Sequence, residues 1–213
     1  MKILSVKALG IPAVKVIRFA RFGDHRGYFT ETFRKSDFQA GSLTPFLRGV
    51  EFTQTNESYS KAGTLRGLHF QWNPHMGKLV RTTQGHLVDL ALDIRLGSPT
   101  FGQIVAHDMP SRRDEDFNEW IWVPPGFAHG TLLVEDTAIE YYCSGEYSPG
   151  CEAAISPVAE DIDWQLCDRG LRDLFQRIAP TTPLITDKDK NGFTVAAWKK
   201  DERSQNFLYT ADS

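Results

Sequence analysis

The segment 63–71 reads GTLRGLHFQ and sets Arg66 three residues before His69, among glycines that let the backbone approach a ligand closely. An arginine can hold a phosphate through two parallel hydrogen bonds, and a histidine can exchange a proton near neutral pH. On spacing alone, a histidine packed in a turn is the simpler reading. His129 stands in WVPPGFAHG (122–130), and taken by itself it too reads as structural, with one ring nitrogen satisfied by backbone. Tyr141, Tyr142 and Tyr147 cluster near the end of a strand pattern and the following turn. Adjacent residues of a strand point to opposite faces, so at most one of Tyr141 and Tyr142 can face an interior site. Core packing is the simpler use of these rings.

Two histidines raise the question of a metal. The residue two beyond His69 is Gln71, and no glutamate follows at short distance, so a third ligand is missing. Two imidazoles alone leave a transition metal underbound, and no metal is expected. The chain has no GxGxxG after a strand, no P-loop, no GxSxG, no HExxH and no CxxC pair. Dehydrogenase, kinase and serine-hydrolase chemistry therefore lose their main support, and no cofactor is expected.

The elements that must position these residues are short strands. From His86 to Arg95, Val88, Leu90, Leu92 and Ile94 fall on one face and Asp89, Ala91, Asp93 and Arg95 on the other. Gln84 and Gly85 form a turn before it, and Leu79 to Thr83 reads as the partner strand of a hairpin. Further strands are expected over 14–21, 27–33, 51–58, 101–108, 120–123, 130–134, 137–143 and 152–155. Such spacing, punctuated by Gly and Pro, predicts an all-β sandwich or barrel. Beyond residue 160, Leu171, Leu174, Phe175 and Ile178 recur at helical spacing and Pro180 stops them. A small C-terminal helix and tail, 160–213, should pack on the β-domain. The charged stretch SRRDEDFNE (111–119) reads as a solvated loop.

A length of 213 residues suits one domain and allows about 70% of the unfolded chain's surface to be buried. With 24 basic and 27 acidic residues the net charge is −3, so no overall positive field favours a nucleic-acid partner. Three cysteines without CxxC spacing indicate neither a disulfide framework nor a zinc site and fit a reducing, cytoplasmic setting. Lys2, Lys7, Lys15 and Arg18 interrupt the N-terminal apolar pattern, so no signal peptide is expected there. No run of about 18 apolar residues marks a membrane partner.

Six stretches together carry a more specific message. FGDHRGYFTETF (22–33), QTNESYSKAGTLRGLHFQ (54–71), GKLVRTTQGHLVDLALDIRLGSPTFGQ (77–103), PPGFAHG (124–130), YYCSGEYSP (141–149) and PLITDKDKNG (183–192) resemble the dTDP-4-dehydrorhamnose 3,5-epimerase family, in the family's order. The resemblance implies a cupin-type jelly roll, a β-sandwich or barrel with a small helical C-terminal segment. It also implies a homodimer in which strands within residues 1–60 cross to the partner. The implied activity is metal-free epimerisation of a dTDP-4-keto-6-deoxyhexose at C3 and C5.

By this resemblance His69 is the base and Asp189 its carboxylate partner, Tyr141 the acid on the opposite side, and Lys78 the positive group near the enolate. Asp89 and His129 match supporting polar positions. Arg26 and Arg66 match diphosphate-binding positions, with Gln54 and Asn56 as neighbouring hydrogen-bonding groups. Phe22 and Tyr147 match aromatics that hold the thymine, and Glu31 could accept a hydrogen bond from it. Thr131 departs from the pattern, since phenylalanine commonly follows the AHG there. The 110–119 loop and the stretch between Trp164 and Asp189 are both longer than in compact members. Such changes could restrict epimerisation to C3 or C5 alone, and a non-catalytic sugar-nucleotide binder is the alternative from another class.

Overall fold

The computed structural model describes residues 1–111, 113–181 and 184–210. Arg112 of the charged loop, Pro183 of the PLITDKDKNG stretch and the last three residues of the tail lie outside the described residues. In chain order the strands are β1 (Ile3–Ala8), β2 (Lys15–Ala20), β3 (Phe22–Asp24), β4 (Gly27–Phe29), β5 (Gln54–Ser60), β6 (Leu65–Gln71) and β7 (Lys78–Gln84). They continue as β8 (His86–Asp93), β9 (Ile104–Pro110), β10 (Phe117–Val123), β11 (Phe127–Leu133), β12 (Thr137–Cys143) and β13 (Glu152–Ala154). The helices are α1 (Lys35–Ala40), α2 (Arg169–Ile178), α3 (Asp187–Lys190) and α4 (Val195–Lys200).

Two antiparallel sheets face each other. One has the order β1-β2-β10-β7-β12-β5 and the other β13-β6-β11-β8-β9, while β3 and β4 form a separate hairpin. Because strand side chains alternate, each sheet presents one face to the interior and one outward. Val80, Ile121, Ile139, Leu87, Ala91, Val105 and Phe127 fill the space between the sheets. The outward face of the five-stranded sheet is also apolar: Val88, Leu90, Leu92, Leu68 and Phe70 lie beneath Phe175, Val195 and Trp198 of the C-terminal segment. Phe38 and Leu47 cover Ile17, Phe19, Leu79 and Trp120 on the outer face of the other sheet. The β-sandwich with a small helical C-terminal segment is therefore as expected.

Within this frame α2 forms where the helical spacing placed it. Asp168 caps its N-terminus by accepting the Leu171 N–H at 3.1 Å, and the helix ends just before Pro180. Trp164 packs on Phe175 with ring centroids 4.7 Å apart.

Three expectations are corrected. β7 and β8 are not a hairpin, because they belong to different sheets. Gly85, at φ +83°, turns the chain from one sheet to the other, and a Cβ there would meet the Asp136 carbonyl oxygen at 2.3 Å. A Gln-Gly signal announces a reversal without fixing whether the returning strand pairs or crosses the sandwich. The charged loop also ends early: β10 begins at Phe117, and Glu119 pairs with Arg18 at 2.6 Å and His107 at 3.1 Å instead of facing solvent. The strand expected over 27–33 stops at Phe29, and the chain enters α1 at Lys35. β1 and β3 carry too little apolar alternation to have been expected.

Candidate active site

A cavity of about 450 Å³ opens between the two sheets at one end of the sandwich. Its floor comes from facing strands: Gln54, Asn56 and Ser58 of β5, Lys78 of β7, and Tyr141 and Cys143 of β12 on one side; Arg66, His69 and Gln71 of β6 on the other. A contiguous inner annex of about 100 Å³ adds His129, Gly130 and Thr131 of β11 and Ile139 of β12.

Strict alternation would send Arg66 and His69, three residues apart, to opposite faces. A bulge removes this conflict. Arg66 pairs with Thr131 and His69 with His129, so two residues of β6, Gly67 and Leu68, stand opposite the single Gly130. Leu65, Leu68 and Phe70 consequently point to the outer core, while Arg66 and His69 both line the cavity. Gly67 is required here, since its φ is +109° and a Cβ would lie 2.6 Å from both the Gly130 Cα and the His129 carbonyl oxygen.

The bulge also fixes the histidine's partner. The freed Gly67 N–H donates to Asp189 Oδ2 at 3.1 Å, and Asp189 Oδ1 lies 2.7 Å from His69 Nε2. Thr186 caps α3 by accepting the Asp189 N–H at 3.2 Å, which anchors the carboxylate's backbone. Burial pushes the Asp189 carboxyl up, but the His69 hydrogen bond and charge and the Gly67 N–H hold it below the ordinary carboxylate value. His69 is thus oriented through Nε2, leaving its other ring nitrogen to accept a proton.

Across the cavity, Tyr141 faces inward and Tyr142 outward, where it packs against Phe33 and Trp120. Burial and the neighbouring Cys143 raise the Tyr141 phenol above its ordinary value, opposed by Arg66. It remains a proton donor at neutral pH. Burial lowers the Lys78 ammonium, although Cys143, Asp89 and Glu152 favour its charged form. Behind these groups His129 Nε2 lies 2.8 Å from the fully buried Asp89.

Other residues expected to bind stand together at the mouth of the cavity. Gln54 accepts the Tyr147 backbone N–H at 2.8 Å and donates to Asn56 at 3.0 Å. Two residues here escaped the sequence reading. Glu152 accepts from the Tyr147 hydroxyl at 3.0 Å and from Lys188 at 2.8 Å. Lys188 precedes Asp189 in DKDK, so the signal that could have found it is its position beside the catalytic candidate.

Phe22, Arg26 and Glu31 are not brought to this cavity. Phe22 and Arg26 lie on or within the exposed β3–β4 hairpin, where Arg26 pairs with its neighbour Asp24 at 2.6 Å. Glu31 pairs with Arg34 at 2.7 Å and with the Met1 amino group. Among the described residues, no three His, Cys, Asp or Glu side chains converge in a set that could hold a metal ion. No described helix is long and apolar enough to cross a membrane.

Residues 8–197 match the family model for dTDP-4-dehydrorhamnose 3,5-epimerase. The protein of that name from Pseudomonas aeruginosa is 36% identical over 191 residues, covering 88% of this chain and 94% of its own. Among solved structures, dTDP-6-deoxy-D-glucose-3,5-epimerase from Legionella pneumophila, in complex with dTDP-4-keto-L-rhamnose, superposes with a TM-score of 0.78 at 30% identity. That match covers 97% of this chain and 99% of the other. A 3′-monoepimerase from Streptomyces bikiniensis, in complex with dTDP-quinovose, is also similar, with a TM-score of 0.73 at 28% identity over 89% of this chain and 87% of its own.

Proposed function

The chain belongs to the dTDP-4-dehydrorhamnose 3,5-epimerase family, and from this premise we propose that it inverts C3 and C5 of a dTDP-4-keto-6-deoxyhexose in the making of an L-rhamnose-type nucleotide sugar. One observation carries the residue assignment: His69, held by Asp189, and Tyr141 stand on facing sheets, on opposite sides of the same cavity. A sugar ring lying between them meets a base on one face and an acid on the other.

The protons on C3 and C5 are acidic because both carbons flank the C4 ketone. His69 removes one of them, and the electron pair moves into an enolate whose oxygen is stabilised by the Lys78 ammonium. Tyr141 then delivers a proton to the opposite face, inverting the centre. Asp189 supports the imidazolium formed in the first step. Both centres share one ketone, so one Lys78 serves both events. Arg66 holds the diphosphate, with Gln54, Asn56 and Tyr147 toward the nucleotide and Asp89 and His129 supporting the inner wall.

Phe22, Arg26 and Glu31 enter the reading through a second copy. The β3–β4 hairpin exposes Phe22, Tyr28 and Phe29, a cluster of large apolar rings suited to a protein partner. We take the enzyme as a homodimer whose hairpins cross to complete each other's nucleotide sites, within a single domain formed by residues 1–213. Three unpaired cysteines support a cytoplasmic setting.

Proton NMR in deuterated buffer with dTDP-4-keto-6-deoxyglucose tests the function. Deuterium should enter C3 and C5 with inversion of both. Exchange at a single carbon would assign a mono-epimerase instead, and no exchange on this substrate refutes the reading.

A further inference from the structure

The inner annex is larger and more polar than a methyl group requires. Residues of the mouth, such as Gln54, Met76 and Glu152, line only the outer cavity, whereas Arg66, His69, Lys78 and Tyr141 line both spaces. Thr131, His129 and Ile139 line only the annex. A nucleotide sugar with its reacting carbons at His69 and Tyr141 and its nucleotide at the mouth must therefore direct the far end of its ring into the annex. For a hexose, that end includes the exocyclic carbon attached to C5.

The annex holds about 100 Å³, room for roughly three water-sized groups. Its wall carries the hydroxyls of Ser58 and Thr131. Thr131 is 3% exposed and is the cross-strand partner of Asp89, on the inward face of β11. One Asp89 oxygen is taken by His129, while Oδ1 is buried without a hydrogen-bond partner among the described residues. Asp89 stands behind this wall and not in it, so the Ser58 and Thr131 hydroxyls are the groups a ligand would meet. A methyl group uses none of these groups.

We propose that the annex around Thr131 is a subsite for a hydroxyl on the far exocyclic carbon, so that the site takes nucleotide hexoses retaining this hydroxyl as well as 6-deoxy sugars. The inference rests on the proposed function, because that reading orients the sugar.

The test compares two stable nucleotide sugars that differ by this one oxygen, dTDP-glucose and dTDP-6-deoxyglucose, by calorimetric titration of the full chain. Wild type should bind dTDP-glucose at least as tightly as its deoxy analogue. Thr131→Phe fills the annex and should weaken dTDP-glucose about tenfold or more, the scale of a one-group misfit in a closed pocket, while dTDP-6-deoxyglucose shifts less than about threefold. Thr131→Val, which keeps the shape and removes the hydroxyl, should lower only the dTDP-glucose affinity and supplies the comparison if the phenylalanine variant fails to fold. Tighter wild-type binding of the deoxy sugar overturns the inference, as does an equal loss of both ligands in the variants. If deuterium exchange on dTDP-4-keto-6-deoxyglucose proceeds while dTDP-glucose is rejected, only the inference falls. If that exchange is absent, the proposed function falls with it.

Discussion

The interior of the sandwich has two ends built from the same strands, one dry and one reactive. Along β12, Ile139 belongs to the core with Val80 and Ile121 and borders the annex with its other side, and Tyr141, the next inward residue, lines the main cavity. Along β7, Val80 is core and Lys78 is site. A shift of one pleat therefore changes the surroundings of a side chain from close packing to a 450 Å³ cavity. The reactive groups are thus held by the same ladder of strands as the core, with no separate loop scaffold for the floor. The two ends should accordingly fail in different ways, the dry end through stability and the reactive end through rate.

The largest effect belongs to the reactive end. His69→Ala should reduce deuterium exchange by about 10²- to 10⁴-fold, the usual contribution of a positioned acid or base, while circular dichroism reports an intact fold. Retained full exchange would remove His69 from the role. At the dry end, Ile121→Ala leaves a cavity in a site only 1% exposed and should cost about 2–5 kcal/mol in urea unfolding. The folded fraction of that variant should exchange protons at close to the wild-type rate. A large rate loss per folded molecule would show that the two ends are mechanically coupled.

A narrower test separates the two faces of the ring. Tyr141→Phe keeps the aromatic body on β12 and removes the donor, so His69 can still withdraw and return a proton on its own side. Exchange should persist, and inversion should fall by about 10²-fold or more, a ratio read from deuterium incorporation against product signals in one spectrum. Equal losses of both would place Tyr141 in binding instead of proton delivery.

The contrast between the ends also explains what the sequence could convey. Alternation in β8 and the helical spacing of Leu171, Leu174, Phe175 and Ile178 are local, and both elements formed as read. The sheet to which a strand belongs is decided by long-range pairing, and the β7–β8 hairpin failed on that point. The inward placement of both Arg66 and His69 depends on a bulge opposite Gly130, which is visible only once β6 has met β11. The Asp189 partner was legible through family resemblance alone, because it lies 120 positions from His69 and no local pattern links the two; what joins them is the cap of α3 and the Gly67 N–H. Glu152 and Lys188 were missed for the same reason, since neither is distinguished until β13 and α3 are brought beside Tyr147.

The smallest expected effect is the most discriminating, because activity and stability should move in opposite directions. Burial lowers the Lys78 ammonium below its ordinary value of about 10.5, so the charge that would stabilise the enolate is lost earlier than in a free lysine as pH rises. Exchange should therefore decline along an alkaline limb. In the window between the lowered folded value and the ordinary amine value, the unfolded chain binds a proton that the folded chain has released. Lys78 then makes folding more favourable with increasing pH, by at most about 1.4 kcal/mol per unit. Lys78→Arg retains a charge throughout this range and should remove both the alkaline loss of rate and this increment in stability. Parallel falls of rate and stability in wild type would instead assign the limb to unfolding, and the reactive end would then owe its alkaline behaviour to the scaffold it shares with the dry one.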